Sequence, residues 1–153
     1  MKSDYPLETA QKSASENDLE GWAHRYLLSE GGNKPFSDGL YKEKRYWRGP
    51  MLFPMGSLTR VCGPEEGMPY RYPDRAPWDA YINKLINEFS ELELYPPLIV
   101  SYVDGKFIID DGNHRFYAFE QLGIEAVWVI LWYPDKAHYD AHARRDFVDI
   151  PDG

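Results

Sequence analysis

The chain has 153 residues, 43% of them hydrophobic and 16% aromatic, enough apolar mass for one packed domain. Its 25 acidic residues against 17 basic ones leave a formal charge of -8, the opposite of the basic footprint usual in proteins that hold a nucleic-acid duplex. No apolar run approaches the ~20 residues that span a bilayer, no secretory leader follows Met1, and the lone Cys62 excludes an internal disulfide, so a reducing cytoplasm is the expected setting.

Residues 1–16 are polar and aperiodic and read as a flexible arm ahead of a single domain over 17–153. Asn17-Asp18 caps a predicted helix in which Leu19, Trp22, Ala23, Tyr26 and Leu27 share one face, with Gly31-Gly32 as its stop. His24 falls on the polar flank of that helix. The stretch from Asn33 to Tyr72 is rich in glycine and proline, with one apolar run at Met51-Leu52-Phe53 and an edge strand through Leu58–Val61. It reads as a long loop, ordered by Phe36, Tyr41, Tyr46, Trp47 and Phe53. Within it Lys42, Lys44, Arg45 and Arg48 surround two aromatic residues. They form either a groove for nucleic-acid phosphates with rings for stacking or, more commonly, a solvated basic turn.

Pro77 suits a first helical turn, and Trp78, Tyr81, Ile82, Leu85, Ile86 and Phe89 follow at helical spacing. Tyr95-Pro96-Pro97 ends that helix. Leu98–Val103 and Lys106–Ile109 read as a hairpin closed by Asp104-Gly105. A helix from about Asn113 to Leu122, a glycine stop and a buried strand over Ala126–Trp132 complete the pattern, and Asp135–Arg145 reads as a last helix. His138 and His142 share a face at a spacing that can hold zinc, but no third ligand is evident and an exposed helix is the preferred reading. The fold class predicted is α/β (or α+β), a small mixed sheet with one central helix.

The chemistry concentrates at Asp110-Asp111-Gly112-Asn113-His114-Arg115, between a strand and a helix. A helix start offers unpaired N–H groups and the positive end of the dipole, both favourable to an anion. Gly112 permits close backbone approach, Asn113 is a good N-cap, and His114 and Arg115 place two donors on the first turn, Arg115 suited to a bidentate phosphate contact. Asp111 can hold a metal ion or accept a proton. An ordinary turn with its cap, and Arg115 paired to Asp110, is the alternative.

Pro96-Pro97-Leu98-Ile99-Val100, the hairpin, Ile109 through Ala118, then Leu122-Gly123 and the last strand resemble the ParB/sulfiredoxin-like domain, over roughly 51–132 with its specific part in 96–132. The resemblance implies nucleotide-phosphate binding by Gly112, Asn113, His114 and Arg115. Sulfiredoxin places its catalytic cysteine where Asn113 stands, so sulfinic-acid reduction is not expected. Partition proteins carry further domains for which this chain leaves no room. The expected class is therefore a free-standing member. It would use ATP or another nucleotide with Mg²⁺ as a phosphotransferase or ATPase on a small hydroxylated substrate, or act as a nuclease, or as a non-catalytic regulatory module. Related serine kinases share an Asp-Gly-x-His-Arg turn matching Asp111–Arg115. Their upstream glutamate finds its nearest matches in Glu65 and Glu66, with Asp111 as base or metal ligand.

Overall fold

A computed structural model describes residues 4–29 and 32–145. Three helices come first: α1 (Leu7–Ser15), α2 (Leu19–Leu27) and α3 (Lys34–Leu40). The first corrects the irregular arm expected over 1–16. Leu7, Ala10 and Ser13 are buried at helical spacing, and Trp22 Nε1 donates to Thr9 Oγ1 at 2.8 Å. Two of those three inward positions are small, so the apolar stripe is thin in sequence. Asp18 caps α2 by accepting from Gly21 N at 3.2 Å, as expected, while Gly31 lies outside the described residues.

The expected long loop is largely structured. It holds α3 and β1 (Tyr46–Pro54), then β2 (Leu58–Thr59), β3 (Cys62–Gly63) and β4 (Tyr70–Arg71). Gly49 and Pro50 break the alternation of β1 because the register shifts between Arg48 and Met51 in a bulge, where Gly49 takes φ 117°. Next comes α4 (Arg75–Glu88), with Pro77 in its first turn. The hairpin is β5 (Leu98–Val103) and β6 (Lys106–Asp111), its turn at Asp104 and Gly105 having φ 52° and 81°. Then follow α5 (Asn113–Gln121), β7 (Ala126–Tyr133) and α6 (Lys136–Arg145).

Five strands form one mixed sheet in the order β1-β7-β5-β6-β2, with β7 parallel to β5 and β2 parallel to β6. Both faces are covered, which explains the unbroken hydrophobicity of β7. On one face Leu98, Val100, Ile109, Val129 and Leu131 pack with Phe116 and Phe119 of α5. On the other, Ile99 and Ile130 meet Trp22 and Leu27 of α2 and Leu40 of α3. Trp78, Ile82 and Leu85 of α4 pack separately on Ala118 of α5. The end of β6 is thus enclosed by α3, α5 and the β3–β4 excursion. No helix among the described residues is long and apolar enough to cross a membrane.

Candidate functional site

β6 alternates Phe107 and Ile109 into the α5 face and turns Asp110 toward the α3 face before the chain reverses at Gly112. That glycine takes φ 103°, a conformation side chains rarely adopt. A Cβ there would also fall 2.4 Å from Leu98 Cδ2, so the position admits only glycine. It is Gly112, not Asn113, that forms the N-cap of α5, and it brings no side chain to cap the helix. The first turn closes through Phe116 N to Gly112 O at 2.8 Å. The N–H groups of Asn113, His114 and Arg115 precede any intrahelical acceptor.

Asn113 serves a different purpose from capping. Its Oδ1 accepts from Val61 N at 2.9 Å and Cys62 N at 3.3 Å, while Nδ2 donates to Ile109 O at 3.2 Å. The side chain ties the start of α5 to the β3 segment and so holds one wall of the site.

The two cations expected on this turn do not act as free cations. Arg115 is 9% exposed and donates to Pro96 O, to Tyr26 OH at 2.9 Å and to Asp111 Oδ2 at 3.1 Å. Tyr26 OH donates in turn to Asp111 Oδ2 at 2.8 Å. Arg115 therefore braces Asp111 and the Pro96 carbonyl. The alternative pairing with Asp110 is replaced, by Asp111. His114 is surrounded by Trp78, Tyr81 and Tyr72, with ring centroids at 4.5, 4.8 and 5.5 Å. Its Nε2 is shut away from solvent with no hydrogen-bond partner among the described residues. Burial, reinforced by the Arg115 charge and opposed by the Asp111 charge, lowers its pKa and favours the neutral imidazole.

Gly112, Asn113 and His114 open onto a cavity of about 540 Å³, within the ~300–1,000 Å³ usual for small-ligand sites. Asp110, Asp111, Cys62, Tyr70 and Phe36 also line it. Asp110 accepts from Trp132 Nε1 at 2.9 Å. Burial pushes its carboxyl up to about 6 and the neighbouring Asp111 charge adds to this, against hydrogen bonds from Ser101 and Trp132. The sequence reading missed Asp110 as a site residue, and missed Tyr26, Phe36 and Tyr70 as well. Asp110 stood inside the motif. The others lie far away in the chain, and nothing local marks them.

The two glutamates are not brought to the cavity. Glu65 is ion-paired with Arg60, whose hydrogen bond lowers the pKa of its carboxyl. The Glu66 side chain is 92% exposed, 4.0 Å from Arg71. Among the described residues no group of three or more histidine, cysteine or acidic side chains converges to hold a metal. Asp111, the expected metal ligand, is ion-paired with Arg115.

Lys42, Lys44, Arg45 and Arg48 form no even basic stripe. Arg45 donates to Pro134 O and Gly39 O at 3.3 Å each, and Lys44 and Arg48 lie over Tyr46 and Tyr139. A second hollow, also about 540 Å³, lies beside Lys44, Arg45, Trp47 and Arg48. His138 binds Asp135, whereas His142 is buried beside Tyr133 OH at 2.5 Å, so the pair does not share an open face. His24 is buried too, its Nδ1 2.6 Å from Ser37 Oγ.

No protein-family model and no curated protein matches the chain. By structure it is similar to sulfiredoxin from Arabidopsis thaliana, with 24% identity and a TM-score of 0.42, over 62% of this chain and 99% of that one. It is similar also to the C-terminally truncated chromosome-partitioning protein ParB from Caulobacter crescentus complexed with CTP-gamma-S, at 18% identity and a TM-score of 0.39. That match takes in 67% of this chain and 53% of the ParB chain. A Pnob8-like ParB-N domain gives 15% identity and a TM-score of 0.33, over 69% and 38%. The chain therefore spans only part of either ParB protein. The order expected of a ParB/sulfiredoxin-like fold, a hairpin, the Gly112 turn, a helix and a strand, is the order this α/β chain has.

Proposed function

We propose that the cavity at the start of α5 binds a nucleotide by its phosphates. The observation carrying this reading is the side-chain-free N-cap at Gly112 of a helix whose first residues, Gly112, Asn113 and His114, line a cavity of ligand size. Backbone dipoles are then the attractive element, since His114 is neutral and Arg115 is committed to Asp111. Asp110 opposes a bare polyphosphate when ionised, so a nucleotide that brings its own Mg²⁺ should bind better than one without.

The finer reading is an ATP-dependent phosphotransferase or ATPase. Asp110 is its best-placed proton acceptor, within the cavity and titrating close to neutrality, for a hydroxyl of a small substrate or for water. Nucleotide binding without turnover would instead assign the chain to the regulatory modules. The second hollow favours a further reading, binding of nucleic-acid phosphates along the Lys44–Arg48 segment.

Thermal melts with ATP, ADP, GTP and CTP, each with and without Mg²⁺, test the proposal. Cytidine nucleotides belong in the panel because the similar ParB structure is a CTP-gamma-S complex. Ligand at ~100 times its Kd adds about 2.7 kcal/mol, a rise of about 5–10 °C at this size. No rise with any nucleotide contradicts the reading, while a rise with an oligonucleotide alone moves it to the second hollow.

A further inference from the structure

We infer that Tyr70 is the platform on which the base of the bound nucleotide stacks, so that the site selects ligands carrying a flat ring over bare polyphosphates. The inference rests on the proposed nucleotide site and names the part of it that reads the base.

Tyr70 is 70% exposed, a large aromatic ring left in solvent while lining the cavity of α5. Its backbone is fixed. Tyr70 pairs with Cys62 in the short β3–β4 ribbon, and its N–H donates to Val61 O at 2.9 Å. Tyr72, just past the strand and held through its N–H to Gly63 O at 2.7 Å, packs its ring edge-on against His114 and Trp78. The Tyr70 ring is left at the cavity, and among the described residues no ring packs against it. A hydrogen-bonded backbone carrying an exposed ring that lines a cavity of ligand size is the arrangement that base stacking requires.

The far wall adds a complementary pair. Phe36 lies in the first turn of α3 with its N–H donating to Asn33 Oδ1 at 3.1 Å, and both residues line the cavity. With Oδ1 used there, Asn33 keeps Nδ2 as a donor for an acceptor on the ligand. Phosphate at the α5 amides, ring on Tyr70 and one amide donor on α3 together describe a nucleoside phosphate.

Calorimetric titration of wild type, Tyr70→Ala and Tyr70→Phe with ATP, GTP, CTP and inorganic tripolyphosphate tests this. Tyr70→Ala should weaken the tightest nucleotide about 5- to 150-fold, leave tripolyphosphate unchanged, and be rescued by Tyr70→Phe. Melting curves of the variants should match wild type, because the ring is largely exposed. Equal nucleotide affinity in wild type and Tyr70→Ala overturns the platform while the nucleotide site stands, as does an equal loss for tripolyphosphate. Failure of wild type to bind any nucleotide overturns the site and the platform together.

Discussion

At the scale of single residues, the site joins one carboxylate that is matched and one that is not. Asp111 has Arg115 and Tyr26; Asp110 has only neutral donors and the adjacent negative charge. The folded state therefore holds the Asp110 proton more tightly than the unfolded chain does. Its stabilising contribution is complete below about pH 4 and is lost as pH rises through about 6. Asp110→Asn removes that ionisation. The variant should be more stable than wild type at pH 8 by up to about 3 kcal/mol, at ~1.4 kcal/mol per pK unit. Denaturant unfolding at about pH 4 and pH 8 measures this, and a difference that does not change with pH would refute it. The glycine turn was legible in the sequence, because positive φ and a helix start leave local signatures. The fate of Arg115 was not, since one of its partners is Tyr26, 89 residues away in sequence.

Among the elements, α1–α3 alter the picture most. They cover one face of the sheet and bring Tyr26, Asn33 and Phe36 to a site that the resemblance placed within 51–132. Tyr26→Phe keeps the ring stacked on Trp22, with centroids 5.2 Å apart, and removes only the hydroxyl between Asp111 and Arg115. Hydrogen bonds to charged groups are worth about 1.5–3 kcal/mol, so urea unfolding should show a loss of that order. An unchanged midpoint would mean that α2 is not tied to the site. The α4 stripe and the β5–β6 hairpin were readable from periodicity and from Asp104-Gly105. By contrast, β1 was hidden because Gly49 and Pro50 sit at its bulge, and α1 because Ala10 and Ser13 make a weak stripe.

Taken whole, the molecule encloses the end of β6 with α3, the β3–β4 ribbon and α5, elements far apart in the sequence. Composition could exclude a uniformly basic surface, and it is the fold that sets Lys44 and Arg48 over aromatic rings and ties Arg45 to a backbone carbonyl. It also pairs Glu65 with Arg60 and leaves Glu66 beside Arg71, so the proposed ligand binding depends on backbone amides. Amide-resolved NMR tests this most directly: spectra of the labelled chain recorded during titration with a Mg²⁺–nucleotide. The Asn113, His114 and Arg115 amide signals should move saturably and farther than those of α6. Saturated binding with these three amides unmoved, or no binding at millimolar nucleotide, would contradict the account.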